Sequence, residues 1–180
     1  MSAKTVFMDR DGTINIDTNY INSPQQLSLL PNSGQAVKLL NEKNYKVVVV
    51  SNQSGVARGY LTLKTLGAIH RKLRQLLKKD GAILDAIYYC PSHPDEKAPC
   101  RKPAIGMARQ AVKDLKISLG KSYMIGDSRA DIEFGNNIGA KTILVLTGKT
   151  KGSEPWLKKY KIDCVADDLL GAALWITSDG

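Results

Sequence analysis

Two aspartates, Asp9 and Asp11 in Val6-Phe7-Met8-Asp9-Arg10-Asp11-Gly12-Thr13, follow directly on a short apolar run. On an extended chain an i,i+2 spacing puts both carboxylates on the same side. Like charges that close together are costly unless a cation lies between them or their pKa values are driven apart, and either outcome marks a functional site. Gly12 allows a sharp turn after the pair, and Thr13 can bond back to hold it. Asp-Gly is also a common turn dipeptide, so the pair alone reads as well as a loop.

Three further segments carry related chemistry. Val47-Val48-Val49-Val50 runs into Ser51-Asn52-Gln53-Ser54-Gly55, where a hydroxyl and then backbone amides suit an anion, or simply make a loop. In Arg101-Lys102-Pro103 the proline suits the first turn of a helix, which makes Lys102 a compact charge for phosphate at a helix N-terminus. A solvated surface lysine is the competing reading. Met124-Ile125-Gly126-Asp127-Ser128-Arg129-Ala130-Asp131 offers Asp127 as a hard oxygen ligand for magnesium and Asp131 as a helix cap or an orienting group.

These groups need elements to bring them together. Apolar runs suited to buried strands occur at 5–8, 46–50, 85–89, 122–125 and 141–146. Helical spacing of apolar residues falls between them, at 34–44, 62–79, 104–115, 129–138 and 169–177, with Thr62 an expected N-cap. Strands alternating with helices predict an α/β fold, a three-layer, doubly wound and mainly parallel sheet. Such a sheet gathers functional groups at the carboxyl ends of its strands. A carboxylate pair, a hydroxyl, a lysine and another carboxylate arrive there in order.

In that order the segments resemble the four motifs of the haloacid-dehalogenase-like (HAD-like) phosphatases. Asp9-Arg10-Asp11-Gly12-Thr13-Ile14-Asn15, Ser51-Asn52-Gln53-Ser54-Gly55, Cys100-Arg101-Lys102-Pro103 and Gly126-Asp127 are similar to the group of heptose-bisphosphate and histidinol-phosphate phosphatases, over about residues 4–150. The resemblance implies that Asp9 is the nucleophile of an aspartyl-phosphate mechanism and Asp11 the general acid/base. Mg2+ would be held by Asp9, Asp127 and the backbone carbonyl of Asp11. Ser51 and Lys102 would stabilise the transferring phosphoryl group. Asp17, Thr18, Asn19, Tyr20, Asn52, Gln53, Ser54, Arg58 and Arg101 would contact a sugar phosphate. An acid working near neutrality calls for a raised pKa at Asp11.

Relatives in this group often carry a zinc loop ahead of Arg-Lys-Pro. Here the segment is Cys90-Pro91-Ser92-His93-Pro94-Asp95-Glu96-Lys97-Ala98-Pro99-Cys100, with Ser92 and Ala98 at two of the expected ligand positions. Cys90, His93 and Cys100 remain as Zn2+ ligands, one short of a closed site unless Asp95 or Glu96 joins. A metal-free loop braced by its prolines is the other reading.

At 180 residues, with 43% apolar and 24% charged, the chain fits one domain spanning 1–180, and the motifs leave no room for a large cap. No apolar run is long enough for a membrane span, and the N-terminus leaves no room for a signal peptide, so the expectation is a cytoplasmic protein. A monomer is the default. Three irregularly spaced cysteines predict thiols or metal ligands in a reducing compartment. The net charge of +9 suits phosphorylated substrates. Much of it falls on the 62–79 helix, whose lysines and arginines read as a solvated face; without interleaved aromatics, a nucleic-acid surface or an end-processing role ranks behind. His70 on that helix reads as a boundary residue, and Arg58 and Arg101 favour a doubly phosphorylated substrate over histidinol phosphate.

Overall fold

The structure is a computed structural model that describes residues 4–178. Strands β1 (Thr5–Met8), β2 (Lys46–Asn52), β3 (Ala86–Cys90), β4 (Ser122–Gly126), β5 (Lys141–Val145) and β6 (Cys164–Ala166) form one sheet in the order β3-β2-β1-β4-β5-β6. Every pairing is parallel. Helices α1 (Ser33–Glu42), α2 (Leu63–Lys79), α3 (Gly106–Leu115), α4 (Arg129–Asn137) and α5 (Leu169–Ser178) complete the three layers.

The layers follow from the period of two along the central strands. Val6, Met8, Val47 and Val49 face one core with Leu40 of α1, Leu66, Ile69 and Leu73 of α2, and Ile176 of α5. Phe7, Val48 and Val50 face the other with Met107 and Ala111 of α3 and Phe134 of α4. Phe7 meets Phe134 edge-on with ring centroids 6.2 Å apart. Strands apolar on both faces are what a sheet covered on both sides requires.

The order reverses between β1 and β4, whose neighbours lead away in opposite directions, so a crevice opens above their carboxyl ends. Asp9 stands one residue beyond β1 and Asp127 one beyond β4. Thr62 caps α2 as expected, its Oγ1 accepting the Thr65 amide at 3.1 Å.

Three local expectations are corrected. α3 begins at Gly106, so neither Pro103 nor Lys102 belongs to a helix N-terminus; the Lys102–Pro103 peptide is cis, and the Ala104 amide closes a turn onto the Arg101 carbonyl at 2.8 Å. The chain is not extended through Asp11, because the Thr13, Ile14 and Asn15 amides all turn back to the Arg10 carbonyl. Strand β6 has only three residues, too few to show an apolar period.

Candidate active site

Lys102 organises the centre of the crevice. Its ammonium, 4% exposed as a residue, donates to Asp9 Oδ1 at 2.8 Å and to Asp131 Oδ1 at 2.6 Å. Burial alone lowers a lysine pKa, yet the two carboxylates hold this one above its ordinary value. Asp131 Oδ2 accepts from the amide and hydroxyl of Ser128, so both oxygens of Asp131 are engaged by protein donors. Asn52 fixes the backbone of the same lysine: its Oδ1 accepts the Lys102 amide at 3.0 Å and its Nδ2 donates to the Lys102 carbonyl at 3.1 Å.

Burial pushes the Asp9 carboxyl up to about 7 and that of Asp127 up to about 6, with Asp131 adding repulsion in both cases. Asp127 Oδ2 accepts the Lys149 amide at 2.7 Å. Oδ2 of Asp9 and Oδ1 of Asp127 take no part in these bonds. Asp9, Asp127 and Asp131 are the one group of three potential ligands within 4.8 Å of one another among the described residues. With Asp131 engaged by Lys102 and Ser128, the hard oxygens left to a cation are those of Asp9 and Asp127 and the Asp11 carbonyl, which enters none of the loop's backbone hydrogen bonds. That donor set fits Mg2+, which takes one or two carboxylates and keeps waters.

Asp11 is held by donors other than Lys102. Its Oδ1 accepts from Arg10 Nε at 3.1 Å, Arg10 Nη2 at 2.9 Å and Asn15 Nδ2 at 2.9 Å, and its Oδ2 from Arg10 Nη2 at 2.8 Å and Gln53 Nε2 at 2.9 Å. Burial pushes its pKa up, but the Arg10 guanidinium and these hydrogen bonds outweigh it and hold the carboxyl below its ordinary value. The raised pKa expected from the sequence is therefore corrected for this arrangement: Asp11 is ionised here.

A cavity of about 420 Å³ joins these groups. Asp9, Asp11, Ser51, Lys102, Asp17, Asn19, Tyr20, Asn52, Gln53, Ser54 and Arg101 line it, while Asp127 sits beneath, 1% exposed. Thr18 and Arg58 are exposed and lie off its wall, with Arg58 close enough to Arg101 to lower its pKa, although burial lowers it more. Sequence reasoning did not pick out Arg129, Pro94 or Lys149, which share the lining. Lys149 Nζ pairs with Asp17 Oδ2 at 3.5 Å across the mouth. Lys149 belongs to no motif; its only signal was its place just past the fifth apolar run.

The zinc expectation is overturned. Cys90 and Cys100 form a disulfide, which leaves neither sulfur as the thiolate that zinc requires, and His93 Nδ1 faces Asp95 Oδ2 at 3.2 Å. The same bond corrects the expectation of free thiols; Cys164 is the free cysteine among the described residues.

Comparison with known proteins shows the family of the chain. The HAD-hydrolase-like family matches residues 99–172. The chain belongs to the haloacid-dehalogenase-like phosphatases, enzymes that hydrolyse phosphate esters. Within that class it is 40% identical over 178 residues to the D-glycero-beta-D-manno-heptose-1,7-bisphosphate 7-phosphatase of Haemophilus ducreyi, covering 94% of this chain and 96% of that one. It is 42% identical to the protein of that name from Pseudomonas putida, covering 81% of this chain and 84% of that one. The crystal structure of the D,D-heptose 1,7-bisphosphate phosphatase from B. bronchiseptica, complexed with magnesium and phosphate, superposes with a TM-score of 0.88 at 34% identity, covering 98% of this chain and 99% of that one.

Proposed function

We propose that the chain removes the 7-phosphate of D-glycero-D-manno-heptose 1,7-bisphosphate, with Mg2+ and through an aspartyl-phosphate on Asp9. The observation that carries this reading is Asp9 itself: one oxygen is held by Lys102, and the other is left free at the floor of a cavity lined by cationic and hydroxyl groups. The substrate assignment is supported by the names of the relatives and by two cations, Arg101 on the wall and Arg58 beside it, which suit a second phosphate.

Mg2+, held by Asp9, Asp127 and the Asp11 carbonyl, would neutralise charge on the phosphoryl oxygens and on the nucleophile. The Asp9 oxygen that the cation does not take attacks phosphorus in line with the leaving alkoxide, the ester P–O bond breaks, and Asp11 delivers a proton to that alkoxide. Ser51 Oγ and Lys102 Nζ donate to the transferring phosphoryl group. In the second half-reaction Asp11, now ionised, takes a proton from water, which attacks phosphorus and frees Asp9. The ionised Asp11 described above is the form this second step needs. Approach of the substrate's phosphoryl dianion favours the proton uptake that the first step needs.

The test is phosphate release with Mg2+ from heptose 1,7-bisphosphate, other sugar phosphates, histidinol phosphate and a DNA 3′-phosphate, for the native chain and Asp9→Asn. Preferred turnover of the heptose ester, lost by about 10³-fold or more in the variant and abolished by chelation, is the expected result. Equal turnover of histidinol phosphate would remove the substrate assignment, and an active Asp9→Asn the mechanism.

A further inference from the structure

Arg10 is the bulkiest fully buried side chain described, 1% exposed, in a position where a guanidinium is costly unless paired. Its ion-pair partner is Asp11. The same Nη2 also donates to Gln53 Oε1 at 3.2 Å, and this second contact reaches further than the first. With its carbonyl oxygen turned toward Arg10, the Gln53 amide must present its NH2 to the other side, where it donates to Asp11 Oδ2 at 2.9 Å and to Ser51 Oγ at 2.7 Å. A flipped amide would set its oxygen against the Asp11 carboxylate and its NH2 against the Arg10 guanidinium, losing both of those bonds, so these two neighbours fix its orientation. Ser51, 1% exposed, therefore receives a hydrogen bond on its oxygen, and its own hydrogen is left for the cavity.

We infer that Arg10 is a positioning residue for both working arms of the site, fixing where the Asp11 carboxylate lies by direct contact and, through Gln53, which way the Ser51 hydroxyl donates. The inference rests on the proposed roles of Asp11 and Ser51. Neither Arg10 nor Gln53 needs to touch the substrate for this: Gln53 is 7% exposed and both ends of its amide are engaged by protein groups. A guanidinium suits the task because its planar fork meets both oxygens of one carboxylate and still reaches an amide. A lysine in the same place would keep the charge and lose the fork.

The inference separates from a purely structural role by leaving-group dependence. An alkoxide leaving from a sugar needs a proton from Asp11, whereas p-nitrophenolate leaves without one. The native chain, Asp11→Asn, Arg10→Gln, Arg10→Lys and Gln53→Leu are assayed with Mg2+ on the sugar phosphate and on p-nitrophenyl phosphate, with melting temperature measured alongside. For Arg10→Gln the expected loss of kcat is about 10²-fold on the sugar ester and about tenfold smaller on the aryl ester, with KM nearly unchanged and Arg10→Lys recovering part of the loss. Gln53→Leu should lose kcat on both esters, because Ser51 serves either phosphoryl group. Equal losses on the two esters in Arg10→Gln, while Asp11→Asn remains selective against the sugar ester, would overturn the inference and leave the proposed function standing. If Asp11→Asn shows no such selectivity, the acid role of Asp11 falls first, and the inference with it. Should Arg10→Gln fail to fold, the selectivity of Arg10→Lys decides.

Discussion

Asp127 depends on a glycine as much as on its own position. The Lys149 amide reaches Asp127 Oδ2 because Gly148 has no side chain; a β-carbon there would overlap that oxygen. Gly12 leaves similar room, with φ of +80° and a β-carbon position only 2.7 Å from the same oxygen and 3.1 Å from the Gly148 α-carbon. Since outer groups that orient a metal ligand are worth about 10- to 100-fold in metal affinity, Gly148→Ala should raise the Mg2+ concentration for half-maximal activity by about tenfold or more. A magnesium titration of phosphate release checks this, and an unchanged midpoint would show that the loop gives way freely. At this scale the groups that the fold gathers at the crevice, and that are proposed to react, were legible from four motifs. Their supports were not: the Arg10–Gln53–Ser51 chain, the Lys102–Asp131 pair and the Lys149 amide each join residues that only the fold brings together. The disulfide was missed because the expected reducing compartment, rather than the shape of the 90–100 loop, set the reading.

Helix α2 shows how an element can carry charge outward and a silent histidine inward. Its apolar face packs Leu66, Ile69, Leu73 and Leu77 into the core, and His70 lies on the same side, 9% exposed, its ring 5.5 Å from that of Tyr89. Burial lowers the His70 pKa to about 4, and the nearby Arg10 guanidinium adds to the shift. The folded protein thus keeps His70 neutral, while the unfolded chain takes up a proton as pH falls below about 6.5. The resulting stability is full above that pH and lost as pH falls toward 4, a swing of up to about 3 kcal/mol. His70→Phe should remove this slope, so urea midpoints of the native chain should fall more between pH 7 and pH 4.5 than those of the variant. Parallel declines would show that His70 does not titrate in this way. The long helices were readable because their apolar period spans several turns. The start of α3 was misplaced because Pro103 fits a helix opening as well as the turn it makes, a choice that tertiary contacts decide.

The whole molecule brings its acids together by topology. A parallel sheet that reverses its strand order at β1 and β4 places Asp9 and Asp127 side by side, and the Lys102 loop supplies one buried cation against Asp9 and Asp131. No helix among the described residues is long and apolar enough to cross a membrane. The folded chain without metal therefore carries carboxyls titrating at about 7 for Asp9 and about 6 for Asp127, raised chiefly by burial. Both exceed the value near 3.8 of an unfolded aspartate, so the folded state holds protons that the unfolded chain has released. Their contribution is full below about pH 4 and lost as pH rises through 6 to 7. Lys102 does not disturb this window, because its raised pKa matters only above the ordinary lysine range. His70 slopes the opposite way over part of it, so the informative quantity is the difference in melting temperature with and without Mg2+ at each pH. The cation replaces the protons and stabilises only the folded state. Magnesium should raise the melting temperature by several degrees at pH 7.5 and by much less at pH 5, and Asp127→Asn should shrink the gain at pH 7.5. A gain independent of pH would mean that Mg2+ binds without displacing protons, and that these carboxyls are already ionised in the metal-free fold.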